Sequence, residues 1–226
     1  MKVHLQREVD KLKKRLLSLS SLVEDIFQKS VLALERGDAD LARSLLAMDD
    51  KVDEFEVEIE EDCLKVLALH QPVATDLRLI ICVLKVNQSL ERIGDMTIKI
   101  ARIAEMFSSY TGIIEKYPFT AMADKTKAAL KKSLDAFVNM QADHARDVCL
   151  HDAEINEMQR TINEQLKRDI REMPDNLELL LGLYEVARNL ERIADHARSI
   201  AEDVIYLVDA DIVRHKSTSA TTGRQG

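Results

Sequence analysis

The hexapeptides LERIGD, ending at Asp95, and LERIAD, ending at Asp195, stand 100 residues apart. The segments DADLAR (38–43) and QADHAR (141–146) stand 103 apart. A chain written twice in this way folds as two copies of one unit. Each copy carries Glu-x-x-x-Asp, and four residues of helix rise about 6 Å and turn about 40° past a full turn, so both carboxylates share a face. An upstream acidic segment mirrors each pair. Asp53 and Glu91 lie 19 residues either side of Pro72, and Asp49 and Asp95 lie 23 either side. In the second half Asp152 and Asn156 mirror Asp195 and Glu191 about the point between Met173 and Pro174. If each midpoint is the turn of an antiparallel helical hairpin, each hairpin gathers four oxygen-bearing side chains at one level. With 40 acidic residues in 226, roughly seven acidic i, i+4 pairs arise by chance, most of them solvated helix surface. The mirrored recurrence about a proline separates these pairs from that background.

Apolar spacing predicts the helices. Leu5, Val9, Leu12, Leu16, Leu19, Val23 and Ile26 alternate steps of four and three, the seam of a bundled helix that Gly37 ends. Asp38 is placed to cap a second helix of about thirty residues, with Leu41, Leu45, Met48, Val52, Phe55, Ile59, Val66 and Leu69 inward. After HQPVATD a third helix turns Leu79, Val83, Val86, Leu90, Ile93 and Thr97 inward. The acidic pairs sit one residue off these seams and so flank the core. SSYTGIIEKYPFT (108–120) reads as a connection. Beyond it, helices are expected near 121–139, 143–172 and 175–208. The expected organisation is all-α: two tandem three-helix bundles, 1–110 and 111–209, with a disordered polar tail at 210–226.

Composition narrows the function. Aromatics make up 4% of the chain and tryptophan is absent, as in long helical bundles. A net charge of −8 disfavours nucleic acid and favours cations or basic partners. The charged opening MKVHLQREVDKLKKRL lacks a secretion signal, and LRLIICVLKV falls short of the roughly 20 residues that span a bilayer. A cytoplasmic protein is expected, with Cys63, Cys82 and Cys149 as reduced core thiols. Gly94, inside a helix at a cost of about 1 kcal/mol relative to alanine, implies close helix approach, and Ala194 keeps its counterpart small. Arg92 and Arg192 point about 100° from the neighbouring glutamates and are expected to pair with or orient carboxylates.

These motifs carry a family resemblance. ERIGD and ERIAD in tandem halves, HQPVATDLRL (70–79) and the preceding DKVDEFEVEIEEDCLKVLALHQP resemble the PhoU family of phosphate-signalling regulators from about Leu5 to Val208. The resemblance implies two bundles related by pseudo-twofold symmetry, a homodimer, and acidic motifs that hold metal ions. It further implies negative control of phosphate uptake and phosphate-starvation signalling, through the ATPase of a phosphate ABC transporter and a sensor histidine kinase. Association with the membrane would then come only through those partners. Asp49, Asp53, Glu91 and Asp95 match the first metal motif, and Asp152, Glu191 and Asp195 the second. Asn156 departs from the pattern; its amide oxygen can still coordinate, with one negative charge fewer. Glu178 also departs, standing at the position corresponding to Arg78.

Oxygen-only ligation suits hard cations: iron, manganese, magnesium or calcium, with zinc as a further candidate. His196, beside Asp195 but rotated away, is expected to support the site rather than ligate. No nucleophile-base arrangement, phosphate-cradling glycine loop or cysteine-histidine zinc pattern is visible, so no catalysis is expected. Two alternatives remain open: a carboxylate-bridged di-metal oxidase and a metal-free helical scaffold. The oxidase reading calls for Glu-x-x-His pairs, whereas Glu91 and Glu191 are followed at that spacing by Gly94 and Ala194.

Overall fold

The computed structural model describes residues 2–210, and every regular element among them is helical. The first repeat comprises α1 (Lys2–Arg36), α2 (Ala39–Leu46), α3 (Asp49–His70) and α4 (Ala74–Met106). A 3-10 turn at Ser108–Tyr110 and the short α5 (Thr111–Ile114) lead into the second: α6 (Phe119–Asn139), α7 (Ala142–Glu172), a 3-10 turn at Pro174–Asn176, and α8 (Leu177–Asp209). From residue 211 onward the expected tail lies outside the described residues.

The seam of α1 is buried as its spacing requires, from Val9 through Leu12, Leu16, Leu19 and Val23 to Ile26. Buried Ser20, Ser30, Thr97, Thr126 and Ser133 each donate a hydroxyl hydrogen bond to a carbonyl three or four residues back, so none of these hydroxyls is stranded in the core. Gly37 ends α1 with φ +63°, and a Cβ there would come within 2.1 Å of Ser108 O; only glycine serves both the turn and the contact. Asp38 then caps α2, its Oδ1 accepting from Leu41 N–H at 2.9 Å.

Two expectations need correction. The predicted thirty-residue second helix is broken at Ala47 and Met48 into α2 and α3. Asp49 and Asp50 thereby head a new helix, at the positive end of its dipole. Leu69, read as the last inward residue of that seam, is 78% exposed, because it lies in the last turn of α3, where the chain turns back at Pro72.

Between the repeats, α4 packs antiparallel along α8. Near the start of α4, Cys82 Sγ lies 3.7 Å from Asp203 O, and Lys85 Nζ is 3.2 Å from Asp203 Oδ1. At the other end a Cβ on Gly182 would meet the Phe107 ring at 2.9 Å and Ile103 at 3.4 Å. These ties fix a register that brings 90–95 and 190–195 to the same height. One apolar core runs through both repeats.

Burial pushes the Cys63 thiol up to about 12 and the Cys149 thiol up to about 11. At pH 8 a thiol at 11 is about 0.1% ionised, against roughly a quarter for an ordinary cysteine. Iodoacetamide is therefore expected to alkylate Cys149, which is half-buried, about two orders of magnitude more slowly in the folded protein than in denaturant, as read by peptide mass spectrometry; equal rates would contradict the raised thiol.

Candidate metal centre

The turn at Gln71–Val73 folds α3 back along α4, as the Pro72 mirror requires. Burial raises the Asp49 carboxyl, with further repulsion from Asp53 and Asp95. Burial likewise raises Glu91, with repulsion from Asp95, Glu56 and Asp53. Repulsion of that kind acts between groups on neighbouring turns and facing helices, so Asp49 is within electrostatic reach of Asp53 and Asp95, and Glu91 of Asp95 and Asp53. Arg92 Nε pairs with Glu91 Oε2 at 3.3 Å, the ion-pairing role expected of it. Among the described residues no ion pair is made by Asp49, Asp53 or Asp95, although Arg102 lies near enough to favour ionised Asp49.

Packing holds this face together at Gly94. A Cβ there would stand 3.0 Å from Val52 Cγ1, and Val52 lies between Asp49 and Asp53 in α3. The missing side chain lets the two acidic pairs approach.

The second cluster is built differently. Asp152 is only 7% exposed; its Oδ2 accepts from Asn156 Nδ2 at 3.2 Å and from Arg198 Nη1 at 3.3 Å, while its buried Oδ1 has no hydrogen-bond partner. Burial raises both Glu191 and Asp195, and Asp152 repels each of them. Asp152 is thus the common neighbour of Asn156, Glu191 and Asp195. His196 is half-buried, and burial, with the positive charges of Arg192 and Arg92, disfavours its protonation.

Three participants escaped the sequence reading. Glu56 and Glu60 extend the acidic face of α3 along the steps 49, 53, 56 and 60, and they line an open cleft of about 250 Å³ with Leu84, Lys85, Asn87 and Gln88. Repulsion from Glu60 and Asp53 adds to burial in raising Glu56. The third is Arg198, three residues beyond Asp195 on the same face of α8, a spacing that was available to be read.

Among the described residues, no three His, Cys, Asp or Glu side chains are drawn closely enough to enclose an ion. The donor chemistry of the first cluster nonetheless fits a hard cation, being all carboxylate oxygen and largely without paired side-chain cations. In the second, the orphaned buried Oδ1 of Asp152 fits the same kind of ligand.

The chain is similar to known proteins over most of its length. A family model described as the PhoU domain matches residues 16–104 and 119–204. A "Phosphate-specific transport system accessory protein PhoU homolog" from Pseudomonas putida is 36% identical over 95% of this chain and 84% of that protein. A homologue of the same description from Thermotoga maritima is 32% identical over 99% of this chain and 97% of its own length. The crystal structure of PhoU from Pseudomonas aeruginosa superposes with a TM-score of 0.85 at 33% identity, covering 91% of this chain and 99% of that one. The phosphate transport system regulatory protein PhoU from Streptococcus pneumoniae superposes at 0.82, with 26% identity over 92% and 99% of the two chains. With both repeats matched and the helical architecture shared, the chain belongs to the PhoU family.

Proposed function

We propose that this protein is a non-catalytic regulatory adaptor of phosphate-specific transport, whose acidic clusters take up metal ions and whose helical faces meet protein partners. The observation that carries the metal reading is the first cluster: four carboxylates from two helices, held on one face by the Gly94 contact, with three of them lacking an ion-pair partner among the described residues. A divalent or trivalent ion turns that repulsion into attraction, and oxygen ligands favour iron, manganese or magnesium, with zinc as the softer option. The accessory role is supported by what the relatives are called.

The family resemblance supplies the rest of the proposal. The chain works as a homodimer of two-repeat subunits, divided near residue 110, and restrains phosphate uptake and starvation signalling by contacting the transporter ATPase and a sensor histidine kinase. No helix among the described residues is long and apolar enough to cross a membrane. The proposal places the protein in the cytoplasm, reaching the membrane through its partners. Gly94 and Ala194, where a di-metal oxidase would carry histidines, weigh against redox catalysis.

Deleting the gene is expected to raise phosphate-scavenging gene expression even in phosphate-rich medium; an unaltered response rejects the regulatory reading. Elemental analysis of protein purified without an affinity metal column, coupled to native mass measurement, is expected to find bound metal on a dimer. Metal-free protein whose thermal stability does not respond to added divalent ions would favour the plain scaffold.

A further inference from the structure

The repeats differ where their acidic clusters meet positive charge. In α8, Glu191, Asp195, Arg198 and Glu202 form one stripe, and the Arg198 side chain sits between two acids: Nη1 is 3.3 Å from Asp152 Oδ2 and Nε is 3.2 Å from Glu202 Oε1. The corresponding positions of α4, one hundred residues earlier, are Ile98, which is buried in the core, and Arg102. The first cluster therefore lacks an arginine at this position; its bonded guanidinium, Arg92, lies on the half-buried Glu91, whereas Arg198 is bonded to the buried Asp152.

Burial makes that difference matter. Asp152 is 93% removed from solvent, its Oδ1 has no hydrogen-bond partner, and among the described residues its Oδ2 is held by the Asn156 amide and by Arg198. A carboxylate in that setting needs a positive charge close by. Arg198 supplies it, and an ion held by Asp152, Glu191 and Asp195 would occupy the same electrostatic role. Glu202, whose side chain is 14% exposed, gives the guanidinium a second anchor one turn away, so Arg198 need not be stranded if it leaves Asp152.

We propose that Arg198 is the resident counter-cation of the second acidic cluster, holding Asp152 in the absence of metal and competing with a divalent ion for it, so that the second cluster binds metal more weakly than the first. This rests on the metal-binding reading above and adds a residue that sets the affinity difference between the two sites. The missing charge at Asn156 acts in the same direction, but it is fixed. Arg198 is already bonded to Glu202 through Nε, so releasing Asp152 to an ion would still leave the guanidinium paired.

Titration of metal-free, full-length protein with Mn²⁺, with the free ion followed by electron paramagnetic resonance, tests this. The native protein is expected to show a tighter and a weaker class of site. Arg198→Met should tighten the weaker class about tenfold or more, because a unit charge is removed from beside a ligand oxygen. Arg198→Lys should leave it near the native value, and adding Asp152→Asn to Arg198→Met should abolish the gain. Glu202→Gln removes the alternative anchor and should weaken the same class about threefold; it decides the matter if Arg198→Met fails to fold by circular dichroism. Native-like affinity of the weaker class in both folded Arg198→Met and Glu202→Gln overturns the proposal while leaving metal binding intact. Absence of Mn²⁺ binding by native protein and by Arg198→Met alike would instead overturn the metal-binding reading itself.

Discussion

Replacing both Asp53 and Glu91 with alanine is expected to abolish the tighter class of metal site outright. Hard cations are held by several oxygen ligands at once, and this change takes one carboxylate from each of the two facing helices, leaving Asp49 and Asp95 at the far edge of the cluster. Both residues lie beside the core rather than in it, and alanine is the best helix former, so helix content by circular dichroism should be unchanged. Metal-free, the double variant should melt at or slightly above the native temperature, since each relieved like-charge pair contributes a few tenths of a kcal/mol. Elemental analysis that finds the native metal stoichiometry in the variant would reject the assignment of these ligands.

A large effect is also expected from Gly94→Leu, and it links packing to the site. The approach of α3 to α4 leaves no room: a bare Cβ already stands 3.0 Å from Val52 Cγ1. Val52 is buried and β-branched, with few rotamers open to it on a helix, so the helices rather than the side chain must give way. Overpacking of this kind costs about 1–3 kcal/mol, measurable by chemical denaturation. Separating the helices also parts Asp49 and Asp53 from Glu91 and Asp95, so Mn²⁺ affinity at the first cluster should fall with stability. Gly94→Ala sets a helix-propensity gain of about 1 kcal/mol against the same contact. Adding Val52→Ala to Gly94→Ala should recover whatever stability the clash removed. A Gly94→Leu protein with native stability and native metal affinity would show that the contact has slack.

Much of the site was legible because a helix converts spacing into geometry. Steps of three and four residues assign a face, equal distances from a turn assign a height, and a helical hairpin needs nothing more to bring Asp53 opposite Glu91. The reading failed where local rules do not reach. The jog at Ala47–Met48 carries neither glycine nor proline, and the apolar period passes through it without interruption. The inward assignment of Leu69 assumed neighbours that the end of the hairpin does not supply. Glu56 and Glu60 face Gln88 and Leu84 at equal distances from Pro72, so spacing about the turn does not mark them.

From the sequence alone follow the duplicated all-helical architecture, the two hairpins and the level at which each carries its oxygen-bearing side chains, since all are set by periods along one chain. The tertiary structure decided that α4 and α8 run antiparallel with ERIGD and ERIAD at one height, that Val52 seats against Gly94, and that Arg198 rather than solvent faces Asp152. Those outcomes depend on burial and on distances across interfaces between segments remote in the chain, and residue spacing carries no measure of either.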